Sequence, residues 1–319
     1  MMEYLSSIDD SLIKIDEKKY KFFNIEDYPQ FFYGSNPFLK VSETFFDTDF
    51  DCGNRICFST SSDKVIFKIQ LNNEKMDYQL CDWNSRGFDV YIVEDNIFYH
   101  KTVIAPFGKN NIFSDVISNV QNKNLCIFLP NFSQVEKMYI GIEIDANIKE
   151  VQFYKYGTLF FLGNSVTQGA SVSRSGISYP NIISRNLNRN ISLLVNKIPD
   201  CLNKEFANEL LKTEYTHIII YISLDKNYEK NYSNISAFFN EISKYFNKKT
   251  FIYLIDDIFY EKNINRNFTK LFTNNNQNVT IYLSHLFDKS EIDYIVYDKN
   301  HFSDYAMQII AQKLSEYIS

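Results

Sequence analysis

Leu162-Gly163-Asn164-Ser165-Val166-Thr167-Gln168-Gly169 follows the apolar run Thr158-Leu159-Phe160-Phe161 and precedes Ser178-Tyr179-Pro180, which opens a helical pattern through Leu187. The apolar run predicts a buried strand. A serine flanked by glycines, where a strand gives way to a loop and a helix, is a place to mount a nucleophile. The glycines permit tight turns and close approach of backbone to substrate. The carboxyl edge of a parallel sheet is where open α/β sheets take their ligands. Such a hydroxyl needs a base, and Asp298-Lys299-Asn300-His301 offers one near the other end of the chain.

The sequence around the serine alternates in character. Strand-like runs are expected at 158–162, 217–223, 251–255 and 279–283, separated by helical stretches. Over 203–214, Phe206, Leu210 and Leu211 share one side, and over 232–248 a single stripe carries Ile235, Phe238, Phe239, Ile242, Tyr245 and Phe246. Ser303 or Asp304 caps a last helix with Met307, Ile310, Leu314 and Ile318 at helical spacing. Strand–helix alternation implies a parallel sheet with helices on both faces, so residues 156–319 are expected to form a three-layer α/β domain.

Upstream the period is mostly two. Ile56-Cys57-Phe58-Ser59-Thr60 and 64–71 alternate across a Ser61-Ser62-Asp63 turn, and 89–93, 126–129 and 138–142 continue the series. Short β-rich runs between Asn, Asp, Ser and Gly predict an all-β sandwich over residues 1–155.

Composition narrows the functional classes. A chain of 319 residues with 45% hydrophobic and 23% charged residues is long enough for two domains with their own cores. A net charge of −6 argues against a nucleic-acid partner held on a basic surface. No apolar run approaches the roughly 20 residues that span a bilayer, and Met1-Met2-Glu3-Tyr4-Leu5 has no signal-peptide character, so no membrane partner and a cytoplasmic location are expected. Cys52, Cys57, Cys81, Cys126 and Cys201 have no Cys-x-x-Cys spacing, which predicts reduced, mostly buried thiols, no metal and no cofactor. The 29 Phe and 23 Tyr fit a general compositional bias better than a dedicated aromatic sugar platform.

Ser165, His301 and Asp298 together answer the three demands of acyl transfer. His301 takes the Ser165 proton as the hydroxyl attacks an acyl carbon. Asp298, three residues before it, holds the imidazole tautomer and stabilises the imidazolium. The Ser165 N–H serves as one donor to the oxyanion.

Gly-Asn-Ser-Val-Thr-Gln-Gly with Ser178-Tyr179-Pro180-Asn181 resembles the first block of the SGNH (GDSL) hydrolases, and Asp298-Lys299-Asn300-His301-Phe302-Ser303-Asp304 resembles their last. Arg86-Gly87-Phe88-Asp89-Val90-Tyr91 is similar to the Gly-x-Asp-Leu-Tyr element of a two-domain, acetylxylan-esterase-like branch whose β-sandwich precedes the catalytic domain; Leu129-Pro130 and 136–141 also look like that branch. The resemblance spans roughly residues 45–319. It implies a flavodoxin-like SGNH parallel sheet preceded by a jelly-roll-like sandwich, and a serine esterase or deacylase. Three departures stand out. Asn164 replaces the first-block Asp, the second-block region 191–199 holds no glycine for an oxyanion N–H, and Asn227 is the nearby candidate for the third-block asparagine.

Other readings stay open beside this one. Arg174, just beyond the nucleophile loop, meets either an anionic substrate group or a surface carboxylate. His217 reads as a satisfied core histidine, His100 and His285 as structural, and Asp256-Asp257 as loop caps, because neighbouring side chains on extended backbone diverge. The expected substrate is an O-acylated glycan or small metabolite, O-acetyl esters included. An acyltransferase using the same acyl-enzyme is one alternative, and a non-catalytic binding protein on a degenerate scaffold is another. Oligomeric state is not legible.

Overall fold

The computed structural model describes residues 16–34, 51–72, 80–154, 156–195, 198–223, 228, 230–245, 249–258, 278–298 and 300–318. The chain divides into two compact units. The first takes its described residues from 16–34, 51–153 and the short segment Val172–Gly176, and the second from 154–171 and 177–318.

Alternating apolar residues build the first unit. Its described strands are β1 (Tyr20–Asn24), β2 (Phe32–Tyr33), β3 (Arg55–Thr60), β4 (Lys64–Leu71), β5 (Phe88–Glu94), β6 (Ile97–Ile104), β7 (Ile112–Ser118), β8 (Lys123–Phe128), β9 (Val135–Glu143) and β10 (Ile148–Glu150), with the short helix α1 (Asp82–Ser85) before β5. They pair antiparallel in two sheets, β1-β9-β4-β7 and β10-β3-β8-β5-β6, with β2 beside β3. Ile56, Phe58, Phe67, Val90, Ile127 and Ile140 come from both sheets and meet in one buried core, which makes the unit a sandwich.

The period-two pattern in β4 explains only its core face. Val65, Phe67, Ile69 and Leu71 are buried as that pattern requires, but Ile66 and Lys68 on the opposite face are buried as well. The Lys68 ammonium lies 4.9 Å from the centroid of the Phe22 ring, so the aromatic face offsets part of the cost of burying the cation. Strands β6 and β7, which carry more polar side chains, were not legible in the sequence.

The second unit is a parallel sheet. Its described strands are β11 (Tyr156–Gly163), β12 (Arg189–Val195), β13 (His217–Ser223), β14 (Thr250–Asp256) and β15 (Asn278–Tyr282). Their order, β12-β11-β13-β14-β15, is the flavodoxin-like 2-1-3-4-5 arrangement. Between them run α2 (Ser165–Gln168), α3 (Tyr179–Leu187), α4 (Lys204–Lys212) and α5 (Tyr232–Ile242), and after β15 come α6 (Ile292–Ile295) and α7 (Asp304–Ile318). Phe206 and Leu210 of α4 and Ile235 and Phe238 of α5 pack with Phe160, Leu162, Ile218 and Ile220 on one face of the sheet. On the other face Phe161 meets Tyr179 of α3 edge-on, and α3 packs against α7. The three layers therefore follow from helices with one apolar side each.

β12 was not read as a strand, because Arg189-Asn190 and Ser192 dilute its apolar run. The Ile235–Ile242 stripe is buried along α5, which gives way to a 3₁₀ turn at Ser243–Tyr245; Phe246 lies outside the described residues. No described helix is long and apolar enough to cross a membrane.

Candidate active site

The sheet order fixes where the chemistry sits. β11 lies between β12 and β13, at the point where the strand order reverses, and Ser165 follows it at the carboxyl edge. Gly163 ends the strand under Thr167, and a Cβ there would collide with the Thr167 side chain. Thr167 is in turn held by a 2.8 Å hydroxyl contact with buried Tyr179. Asn164 caps α2 by accepting from the Val166 N–H at 3.0 Å. Gly169, at φ +95°, closes the helix in the left-handed conformation and donates its N–H to the Ser165 and Val166 carbonyls. Ser165 is thus the first residue of a single tight turn, and its N–H has no partner among the described residues.

His301 arrives on a different element. After α6 the chain doubles back, with Val296 and Phe302 opposed antiparallel and the Ser303 N–H bonded to the Ile295 carbonyl at 2.8 Å. Phe302 is fully buried and stacks near Phe287, and Ser303 begins α7 by accepting from the Ala306 N–H. These anchors hold the turn that presents His301.

The two elements meet. Ser165 Oγ lies 3.1 Å from His301 Nε2, across 136 positions of sequence. His301 Nδ1 lies 3.0 and 2.9 Å from the two Asp298 oxygens. Asp298 Oδ1 also accepts the N–H groups of Asn300 at 2.7 Å and His301 at 2.9 Å. Partial burial alone would raise the Asp298 pKa, but the imidazole and those two backbone donors hold the carboxyl below its ordinary value. An ionised carboxylate only accepts, so the imidazole proton sits on Nδ1 and Nε2 presents its lone pair to the serine hydroxyl.

The remaining expected site residues fall elsewhere. Asn164 spends its side-chain oxygen on the helix cap, because the first turn of α2 leaves N–H groups that need an acceptor, and its amide N–H groups are not engaged by that bond. Arg174 meets a carboxylate, though a buried one and not one at the surface. It lies in the Val172–Gly176 segment of the first unit and donates at 2.8 Å to Asp89, which is fully buried, and at 2.7 Å to the Tyr91 hydroxyl. Its charge is balanced there by the Asp89 carboxylate. Asn227 lies outside the described residues, as do Asn196 and Lys197 at the end of β12.

Sequence reading assigned Asp89 no role, although it quoted the motif around it. Asp89 also accepts from the Gly176 N–H at 3.1 Å and the Tyr91 hydroxyl at 3.1 Å, and His100 Nε2 stands 3.0 Å away. His100 therefore does have a carboxylate neighbour, contributed by the adjacent strand rather than by local sequence. Asp256 accepts from Tyr221 and the Ile258 N–H, and Asp257 from Ser284, which makes both loop fasteners. His217 Nδ1 is met by Thr216 Oγ1 at 3.0 Å and Arg189 at 3.3 Å, and His285 packs against Tyr282. Among the described residues no cluster of His, Cys, Asp and Glu could hold a metal ion.

A serine, a histidine and a carboxylate in hydrogen-bonded sequence at the switch point of a doubly wound sheet define a serine hydrolase. Residues 157–308 match the model of the GDSL-like Lipase/Acylhydrolase family, and residues 49–148 match the GxDLY model, the N-terminus of SGNH-hydrolase-type esterases. The chain is a two-domain member of the GDSL/SGNH-type hydrolases, acting on an ester bond, with an antiparallel β-sandwich before the catalytic sheet.

Solved structures share the fold at low identity. A protein described as a GDSL-like lipase from Bacteroides ovatus is similar with a TM-score of 0.71 and 18% identity, over 94% of this chain and 97% of that one. The salicylyl-acyltransferase SsfX3 of a tetracycline biosynthetic pathway is similar at 0.68 and 10% identity, over 92% and 95%. A family two carbohydrate esterase from Cellvibrio japonicus is similar at 0.56 and 13% identity, over 94% and 97%. No curated protein matches the sequence significantly.

Proposed function

We propose that Ser165 is the nucleophile of an esterase that removes an acyl group, such as acetyl, from an oxygen of a glycan or small metabolite. The observation that carries this reading is the continuous contact from Ser165 Oγ through His301 to both oxygens of Asp298. Ser165 Oγ adds to the acyl carbon as its proton passes to Nε2. The C–O bond to the alcohol then breaks, and the imidazolium returns that proton to the leaving oxygen. In the second half Nε2 takes a proton from water, which attacks the acyl carbon and releases Ser165. The Ser165 N–H is one oxyanion donor. Asn227, which follows β13 in sequence and answers to the third-block asparagine of the family resemblance, is the second.

The glycan arm of the substrate class draws support from the shared fold of the family two carbohydrate esterase. The fold is also shared by an acyltransferase, so acceptors belong in the assay. The test compares the wild type with a folded Ser165→Ala protein on p-nitrophenyl acetate, with intact-mass detection of an acetyl adduct. Turnover and an adduct confined to the wild type support the reading. Equal slow turnover in both proteins and no adduct overturn it. A faster loss of acetyl when an alcohol acceptor is added, with the acceptor acetylated, would favour transfer over hydrolysis.

A further inference from the structure

Two cysteines 69 positions apart in sequence face one another inside the sandwich. Cys57 on β3 and Cys126 on β8 are directly opposed in the antiparallel register, and their Sγ atoms lie 3.1 Å apart. Both strands are interior to their sheet, with β10 beyond β3 and β5 beyond β8, and both side chains are fully buried. Opposed pairs along such a ladder alternate between hydrogen-bonded and non-hydrogen-bonded sites. The Leu129 N–H donates to the Asn54 carbonyl at 2.9 Å, which marks that pair as hydrogen-bonded. Cys57 and Cys126 lie three steps further along, so theirs is a non-hydrogen-bonded site, where Cα atoms stand only about 4.5 Å apart. A disulfide can bridge that spacing, since it spans Cα separations of about 4.4–6.8 Å. Closure asks the sulfurs to approach by about 1 Å, a change that side-chain rotation supplies.

The surroundings set the order of events. Burial, and then the contact with Cys126, push the Cys57 thiol up, while the buried Arg55 cation on the same strand works against them. A thiol held protonated reacts slowly with outside reagents. Once one sulfur is oxidised, the other is already in contact with it, and the second step is intramolecular. With a peroxide as oxidant, one thiolate attacks a peroxide oxygen and the O–O bond breaks. A sulfenic acid forms, and the departing hydroxide takes up the proton that the thiol released. The second sulfur then attacks the sulfenic sulfur, the S–S bond forms, the S–O bond breaks, and the second thiol proton leaves with the oxygen as water. The two sulfurs give up two electrons in all, and the peroxide is reduced to two waters.

We propose that Cys57 and Cys126 are a dithiol that peroxide closes to a cross-strand disulfide, locking β3 to β8 within the sandwich. The link joins distant parts of the sequence, so it constrains the unfolded chain and raises stability. It is independent of the role given to Ser165.

The test exposes the reduced full chain to hydrogen peroxide, then denatures, alkylates and digests it without reductant. The expected result is a peptide pair joined through Cys57 and Cys126, lighter by two hydrogens than the reduced pair. The melting temperature should rise by roughly 5–10 °C and fall back with dithiothreitol. Cys57→Ala and Cys126→Ala should give neither the link nor the rise, and the wild-type comparison stands by itself if either variant fails to fold. The exposed Cys81 reports that the peroxide has acted. Both thiols still alkylated while Cys81 is oxidised, or a sulfinic acid at either position in place of the link, overturn the proposal. So does a link that leaves the melting temperature where it was.

Discussion

Asp298 Oδ1 receives three donors, the N–H groups of Asn300 and His301 and the imidazole Nδ1, while Oδ2 lies 2.9 Å from Nδ1 alone. This asymmetry decides how an amide would settle at the same position. In Asp298→Asn the two backbone donors keep the oxygen, so the amide nitrogen falls where Oδ2 was and donates to Nδ1. The imidazole proton is then driven to Nε2, which turns from acceptor to donor toward Ser165. Asp298→Asn should therefore lower kcat by about 10²–10⁴, and by more than Asp298→Ala, which enforces no tautomer. Steady-state kinetics on p-nitrophenyl acetate decide it, and a milder loss in the asparagine variant would contradict the tautomer argument.

The same carboxyl gives a pH signature in stability. Its folded pKa lies below the ordinary 3.8, so the folded protein holds this group ionised where the unfolded chain protonates it. Its contribution is present above the ordinary value and is lost as pH falls through the folded value. The melting-temperature gap between the wild type and Asp298→Asn should narrow as pH falls from about 4 through the folded value of this carboxyl. A gap that widens with acid would mean that the sign is wrong.

Asn227→Ala should reduce kcat by about 10²–10³, with KM little changed, the loss expected when one donor to a developing oxyanion is removed. The measurement is turnover of an activated acetate ester at saturation. An unaltered kcat would take Asn227 out of the oxyanion site and leave the second donor to the backbone after β12.

Gly163→Ala places a methyl group against Thr167, whose own hydroxyl is tied to Tyr179. The side chain cannot yield without breaking that contact, so the variant should lose about 1–3 kcal/mol in urea unfolding. It should lose turnover as well, because the displaced turn carries Ser165. A variant with wild-type stability would show that the turn has room that its packing does not suggest.

Asp89→Ala strands the Arg174 guanidinium, the Gly176 N–H and the Tyr91 hydroxyl inside the first unit. Breaking a buried ion pair from one side typically costs about 3–5 kcal/mol, and the partly exposed Arg174 puts this case near the lower end, roughly 3 kcal/mol. Denaturant titration checks it. The double variant Asp89→Ala with Arg174→Met should recover part of the loss, since no unpaired charge then remains.

Much of the site was visible before the fold. The glycine-flanked serine after an apolar strand and the Asp-x-x-His before a helix are local patterns, and each has a local cause. Gly163 and Gly169 answer steric demands of one turn, and Asp298 reaches the N–H groups of a residue two and three positions away. The parallel sheet was visible too, because strands buried on both faces read as unbroken apolar runs such as Ile218-Ile219-Ile220. Polar-rich strands such as β6 and β12 were hidden, since their place in a sheet depends on neighbours and not on their own composition.

Arg174 shows the limit most clearly. Its sequence position beside the nucleophile loop left a substrate anion and a surface carboxylate both open, and the structure pairs it with a buried carboxylate contributed by β5, 85 positions earlier. By itself the sequence determined which segments bury apolar surface, where the chain turns, and which residue types stand ready for acyl transfer, because those depend on neighbours within a few positions. Only the tertiary structure decided that Ser165 and His301 touch and that Arg174 pairs with Asp89. Pairings of that kind depend on strand order and register, which arise when distant segments exclude water together and leave no local trace in either segment.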